Sequence, residues 1–451
     1  MTAWDGRKVV VVGLGASGFA AARALLRIGA HVRVTEASDK PEVRQRAERL
    51  RAEGAEVETG GHDPGAVDAD VAVVSPGIPP HAGIVQALSA RGIEIVAEIE
   101  LASQLAHCDL LAVTGTNGKT TTVSMLAAML TESGIPALAA GNIGLPLVDA
   151  VASLPPQGAV AAEVSSFQLA TSTSFRPHIA VVLNVAEDHT DWHGSFASYA
   201  RAKARITLNQ TRDDVLVYNA RDRHARTIAS DSRARTVPFD ASGVSPEGVG
   251  VAEKAIVWRG RVVGRVADLV SRSRGTLEDA LAASAAALEY GASEEAVVRA
   301  LRAFKPLPHR LDAFAELDGV GYIDDSKATN PHATLSAVQG LQDVVLIAGG
   351  RAKGMDLSAL SATVPPVRAV VALGESADEV AAVFERLVPV TTVRSMHEAV
   401  EAARARSVRG GSVLLSPGCA SLDMYEDYAA RGDDFRRVVL ALEPRSREDE
   451  P

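Results

Sequence analysis

The chain has 451 residues, 47% of them hydrophobic and 23% charged, the balance of an ordinary soluble globular protein. That length is too great for one core and predicts roughly two to four domains. With 46 basic and 56 acidic residues the net charge is −10, which excludes nonspecific nucleic-acid binding and makes any phosphate site a local concentration of Lys and Arg.

The chain opens MTAWDGRKVVVVG, passing from polar residues into a strand without a signal-peptide pattern, and no apolar run reaches the length of a membrane span. A cytoplasmic location is therefore expected. KVVVVG (Lys8 to Gly13) reads as a buried strand, Phe19 to Ile28 as an apolar helix stopped by Gly29, and HVRVTE (His31 to Glu36) as the next strand. A charged helix from Pro41 to Glu53, a strand from Val71 to Gly77, a helix near Val85 to Arg91 and a short strand from Ile93 to Ala97 follow. This alternation predicts a Rossmann-like unit over residues 1–97. Gly13, Gly15 and Gly18 stand in G-x-G-x-x-G spacing with the acidic Glu36 further on, which by itself suggests NAD. The same glycines serve any ligand whose diphosphate approaches this backbone.

Residues 98–306 form the second predicted domain. GTNGKTT (Gly115 to Thr121) lies between an apolar strand, Leu110 to Thr114, and a helix that begins near Lys119 and stops at Gly134. Val123, Leu126, Ala127 and Leu130 fall on one face of that helix. Backbone N–H groups at a helix start lack intrahelical partners and the dipole adds positive charge, so the turn suits a polyphosphate. Lys119 would neutralise the terminal phosphates and the Thr120 hydroxyl can reach Mg²⁺. The general P-loop pattern has glycine where this chain has Val113. Downstream, Gly158 to Leu169 reads as a buried strand with Glu163 near its carboxyl end, and Ile179 to Val185 as another, followed by a polar loop bearing His189. Ligands of open α/β sheets gather at the carboxyl ends of strands, so Lys119, Glu163 and His189 are expected on one edge. A helix from Phe196 to Thr207 carries Lys203, residues 215–270 alternate short strands and turns, and helices Leu277–Glu289 and Ser293–Ala303 precede KPLPHR (Lys305 to Arg310), a stiff hinge candidate.

The third predicted domain, 307–451, is again α/β, with strands near Gly321–Ile323, Val344–Ala348, Ala369–Ala372 and Ser412–Leu415. Each runs into a polar or glycine-bearing turn: DDSKATN, GGRAKG, LGES and SPGCASLD. Residues 443–451 are charged and lack an apolar face, so a frayed tail is expected. Cys108 and Cys419 stand too far apart for a metal motif and read as reduced core thiols.

Seven strings in order, GTNGKTT, GNIG (Gly141 to Gly144), EVSSFQL (Glu163 to Leu169), LNVAEDHTDWH (Leu183 to His193), LPHR (Leu307 to Arg310), DDSKATN and LSPGCASLD, resemble the Mur ligases. The absence of D-N-P-R in the last domain and the SPGI at Ser75 to Ile78 are most similar to the member that adds D-glutamate to UDP-N-acetylmuramoyl-L-alanine. The resemblance implies an α/β protein of three domains: a Rossmann-like domain for the UDP substrate, a central P-loop-type domain for ATP and Mg²⁺, and a Rossmann-like domain that brings D-glutamate. The reaction implied is an ADP-forming amide synthesis through an acyl phosphate, by a monomer with no nucleic-acid or membrane partner. Another Mur ligase or a folylpolyglutamate-type ligase is the nearest alternative, and an NAD-dependent oxidoreductase with an ATPase-like domain the rival from another class.

By the same resemblance, Lys119 and the loop Gly115, Thr116, Asn117, Gly118, Thr120 and Thr121 bind the phosphates, with His309, Arg310 and Asp325 reaching ATP across the hinge. Glu163, Thr120, His189 and a carbamylated Lys203 are the implied metal residues, and Lys119, His189 and Lys203 the catalytic ones. Gly15, Ser17, Glu36, Ser75, Gly77, Asn142, Ser165 and Gln168 are implied along the path of the UDP substrate, and Thr329, Lys353, Ser421 and Tyr428 around D-glutamate. Two positions depart from the family pattern. GTLED (Gly275 to Asp279) replaces H-N-x-x-N, leaving Asp279 as the substitute for the adenine contacts, and Ala37 and Ser38 stand where relatives can have Thr and Arg.

Overall fold

The structure, a computed structural model, describes residues 4–269, 273–305 and 307–443. Three sheets carry the chain. The first holds β1 (Lys8–Val12), β2 (His31–Glu36), β3 (Glu56–Thr59), β4 (Val71–Val74) and β5 (Glu94–Ala97) in the order β3-β2-β1-β4-β5, all parallel. The four consecutive valines of β1 are buried because helices cover both faces of a parallel sheet, so no position alternates to water.

The second sheet holds β6 (Asp109–Thr114), β7 (Ala137–Gly141), β8 (Ala159–Glu163), β9 (Ile179–Val182), β10 (Val215–Asn219), β11 (Arg235–Asp240), β12 (Val249–Ala252), β13 (Ala255–Trp258) and β14 (Arg261–Arg265). Its order is β14-β13-β12-β11-β10-β9-β6-β8-β7, which sets β6 between β8 and β9. The helix Lys119–Glu132 after β6 buries Val123, Leu126, Ala127 and Leu130 as its periodicity predicts, together with Met125 and Met129. A continuous core from Trp4 to Ala234 runs beneath both sheets.

The third sheet holds β15 (Asp312–Leu317), β16 (Val320–Asp324), β17 (Val344–Gly349), β18 (Val367–Leu373), β19 (Val390–Thr392) and β20 (Ser412–Leu415) in the order β15-β16-β20-β17-β18-β19. Only the β15–β16 pair is antiparallel.

The chain forms two compact units. One comprises residues 1–185, 192–264 and 280–301; the other comprises 186–191, 265–279 and 302–451. Elements beyond the sequence reading include the edge strands β3, β7, β15 and β19 and the helices Glu98–Leu105, Leu147–Ser153, Arg223–Asp231, Pro331–Val338, Ala377–Phe384, Met396–Arg406 and Tyr428–Leu440. Both cysteines are free and buried, as read. The hinge candidate includes Pro306, and residues 270 and 444–451 of the predicted strand-and-turn stretch and tail also lie outside the described residues.

Candidate active site

The turn after β6 is shaped by neighbouring strands. A side chain at Gly115 would bring its Cβ to 2.9 Å from Leu183 Cβ, so only glycine lets the loop pass the end of β9. Asn184, which the sequence reading left without a role, braces the loop: its carbonyl accepts from Thr116 N at 2.9 Å, its Oδ1 from Asn117 N at 2.9 Å, and its Nδ2 donates to Asn117 O at 3.2 Å. Gly118 then adopts φ +87 at the N-cap, where glycine costs least. No side-chain cap and no acidic residue occupy the first turn of the helix, so its positive end is presented by the backbone alone. Lys119 curls over the loop, its Nζ donating to Gly115 O at 2.8 Å and Thr116 O at 2.9 Å.

Glu163 ends β8 beside β6, opposite Val113, and faces Gly141 of β7 on its other side. Its carboxylate accepts from the Thr120 hydroxyl at 2.6 Å and the Asn142 amide at 3.0 Å. Gly141 has φ +103, and a Cβ there would lie 2.4 Å from Glu163 O. The result is a buried carboxylate beside a hydroxyl at the phosphate turn, a donor set of hard oxygens that fits Mg²⁺. Lys203 reaches the same turn from the helix Phe196–Ala204: 1% exposed, it donates to Gly115 O at 2.7 Å.

Ser165 and Gln168 form a reciprocal cap on the helix Ser166–Ala170, Gln168 N donating to Ser165 Oγ at 3.2 Å and Ser165 N to Gln168 Oε1 at 2.9 Å. Gln168 Nε2 remains buried without a hydrogen-bond partner among the described residues. An amide aimed this way can donate to a bound group.

At the first sheet, a Cβ on Gly18 would meet Gly13 O at 2.0 Å, the close helix-to-strand approach the glycine spacing predicts. Gly15 is the N-cap of the helix Ala16–Arg27 and lacks a side-chain cap. Ser17 is half-buried, Gly77 is exposed, and Ser75 Oγ donates to Gly13 O at 3.4 Å. Glu36 is bound to the protein's own backbone, accepting from Leu14 N at 2.6 Å and Ser38 N at 2.7 Å. Arg46, not singled out in the sequence, donates to Leu14 O at 3.0 Å and brings a guanidinium to this turn, where Ala37 and Ser38 carry none.

The other unit holds the remaining candidates. Asp188, which accepts from His189 N at 2.9 Å and lies 3.6 Å from its ring, also accepts from Asn330 Nδ2 at 3.2 Å. Asn330 caps the helix Pro331–Val338 through Ala333 N, and Thr329 is half-buried beside it. His309 shares a hydrogen bond of 2.7 Å with Asp324, which Arg436 also contacts at 3.2 Å. Asp325 accepts from Ser416 Oγ at 2.8 Å and Leu311 N at 3.2 Å. Burial nevertheless pushes its carboxyl up to about 7, against these donors and the charge of Arg310. Lys353 is exposed with φ 53, and Ser421 is buried with its carbonyl accepting from Tyr425 N at 2.9 Å. Tyr428 starts the helix Tyr428–Leu440. Its ring lies 4.0 Å from Lys327 Nζ and edge-on to His309. Asp279 is buried in the helix Arg274–Glu289.

Family models match three successive stretches of the chain: the "Mur ligase MurD-like, N-terminal domain" over residues 7–97, the "Mur ligase middle domain" over 113–255, and the "Mur ligase, glutamate ligase domain" over 309–419. The UDP-N-acetylmuramoylalanine–D-glutamate ligase of Frankia casuarinae is 45% identical, covering 98% of this chain and 95% of its own length. The ligase of that name from Desulfosudis oleivorans is 41% identical over 97% of each chain. Among solved structures, MurF from Acinetobacter baumannii shares the fold at 17% identity, with a TM-score of 0.61 over 98% of this chain and 93% of that one. The chain belongs to the Mur ligase family.

Proposed function

We propose that the protein is an ATP-dependent, ADP-forming ligase that joins the amine of D-glutamate to the terminal carboxylate of UDP-N-acetylmuramoyl-L-alanine. The observation that carries this reading is the convergence of Lys119, Thr120, Glu163 and Lys203 on one turn at the carboxyl ends of adjacent parallel strands. A carboxylate and an amine do not condense in water. In the proposed reaction the substrate carboxylate attacks the γ-phosphorus of ATP and ADP leaves; the amine then attacks the acyl carbon, phosphate departs and the nitrogen gives up a proton.

Both steps gather anions, and this chain meets them with Lys119 and with the start of the helix Lys119–Glu132, which carries no side-chain cap and follows a loop braced by Asn184. Mg²⁺ would supply further positive charge to offset the gathered anions. Thr120 and Glu163 would hold it, joined by Lys203 as a carbamate, and His189 is proposed as a further metal residue. Residues 1–97 would take the UDP end, where the uncapped helix start at Gly15 suits a diphosphate and Arg46 adds charge. Residues 98–306 would take ATP and residues 307–451 D-glutamate, with Thr329, Lys353 and Ser421 on turns that follow β16, β17 and β20 and Tyr428 at the start of the helix Tyr428–Leu440. The enzyme would act as a cytoplasmic monomer; no helix among the described residues is long and apolar enough to cross a membrane.

Incubation with UDP-N-acetylmuramoyl-L-alanine, ATP, Mg²⁺ and D-glutamate should release phosphate in step with the amide product. Release with L-lysine in place of D-glutamate would move the protein to a sister ligase, and tight NADH binding without ligase turnover would favour an oxidoreductase.

A further inference from the structure

The helix Phe196–Ala204, capped by Ser195, carries Tyr199 and Lys203 four residues apart and hence on one face. Both are 1% exposed, among the largest fully buried side chains of the protein. A buried tyrosine needs a partner for its hydroxyl. Tyr199 finds it in the phosphate loop, where Thr116 Oγ1 lies 2.9 Å away. Its ring meanwhile underlies Lys203, whose Nζ stands 4.7 Å from the ring centroid and donates to Gly115 O. A third neighbour is His193, edge-on to the ring with centroids 5.4 Å apart, whose Nε2 shares a hydrogen bond of 2.9 Å with Ser166 Oγ.

One side chain thus touches the loop at Thr116, the lysine that reaches the loop at Gly115, and the histidine that holds the start of the Ser165–Gln168 segment. A core tyrosine needs only to fill volume, and leucine or phenylalanine would do that; the hydroxyl bond to the loop serves no packing purpose. Thr116 N is already fixed by Asn184 O, so its side chain is the part of the residue whose orientation Tyr199 decides.

We propose that Tyr199 is a positioning residue whose hydroxyl sets the phosphate loop at Thr116 while its ring holds Lys203 against Gly115. This rests on the assignment of the loop to ATP and names the group that registers the loop with Lys203. The two actions are separable, because phenylalanine keeps the ring and removes the hydroxyl.

The test is steady-state kinetics of Tyr199→Phe and Tyr199→Leu, with KM measured separately for ATP and for the UDP substrate and with thermal melting of each variant. Tyr199→Phe should raise the KM for ATP about three- to tenfold, the worth of one hydrogen bond, and leave kcat and the KM for the UDP substrate within about twofold. Tyr199→Leu should in addition lower kcat at least about tenfold as Lys203 loses its support. An unchanged KM for ATP in Tyr199→Phe overturns the proposal, as does a loss spread equally over all kinetic constants in proportion to a fall in melting temperature. Lys119→Ala separates this from the reading beneath it. An inactive Lys119→Ala beside an unaffected Tyr199→Phe removes only the role of Tyr199, whereas full activity of Lys119→Ala removes the ATP assignment and this proposal together.

Discussion

Lys119 and Lys203 donate to the same oxygen, the carbonyl of Gly115, at 2.8 and 2.7 Å. They come from different helices, one starting at the loop and the other packed behind it. Two ammonium groups on one carbonyl repel each other, and the buried position of Lys203 makes its charge costly. An anionic phosphate would relieve the repulsion by pairing with Lys119. Conversion of Lys203 to a carbamate would relieve it by reversing one charge, and only the neutral amine reacts with CO₂.

Lys119→Ala should therefore lower kcat at least about a hundredfold. Its Nζ bonds two carbonyls of its own loop and its side chain is half-buried, so the melting temperature should stay close to that of the unaltered protein. Activity within tenfold of the unaltered enzyme would show that the phosphates bind elsewhere.

Lys203→Ala should also abolish turnover, but for a different reason. If oxygens carried on the lysine are the missing group, formate or acetate should restore part of the rate in this variant and none in Lys119→Ala. Equal failure of rescue in both would leave Lys203 acting as a cation.

Glu163→Gln keeps an acceptor for the Thr120 hydroxyl while removing the negative charge. The Mg²⁺ concentration giving half-maximal rate should rise by roughly tenfold or more. An unchanged Mg²⁺ dependence would remove Glu163 from the metal residues. Gly141→Ala attacks the same carboxylate through the backbone, since a Cβ meets Glu163 O at 2.4 Å and φ is +103. It should destabilise the protein by about 2–3 kcal/mol and raise the Mg²⁺ requirement.

A pH-dependent contribution to stability should come from Glu98, at the start of the helix Glu98–Leu105. Oε1 accepts from Val148 N at 2.7 Å, but Oε2 is buried without a partner among the described residues, and burial raises the carboxyl from 4.5 to about 7. The folded state thus favours the protonated acid, with Asp149 adding in the same direction. The contribution is fully present below about pH 4.5 and is lost as pH rises through 7, at most about 3 kcal/mol. Denaturant titrations of the unaltered protein and Glu98→Gln should diverge over that interval, the variant losing less stability as pH rises. Parallel curves would contradict this.

The elements legible in the sequence were those marked by an unbroken apolar run or by a 3.6-residue spacing of apolar residues. Four valines in β1 and the 3.6-residue spacing after Lys119 declare a parallel strand and its covering helix. EVET in β3 is half-exposed at a sheet edge and ALAAG in β7 is alanine-rich, so neither shows a strand's apolar run. In the site, Lys119, Thr120, Glu163 and Asn142 could be named from motifs, and the structure brings them together. Asn184, Arg46 and Tyr199 could not, because their partners are set by sheet order: Asn184 braces the loop only because β9 lies beside β6. Glu36 was legible as the acidic residue that ends β2, but not that both its oxygens would be taken by backbone N–H groups.

The most direct test of the account is a crystal structure with a non-hydrolysable ATP analogue and Mg²⁺. The account predicts the β and γ phosphates on the turn 115–121 with Lys119 Nζ released from Gly115 O onto phosphate oxygen, and the metal between Thr120 and Glu163. An analogue bound elsewhere, with Lys119 still on Gly115 O, would contradict it.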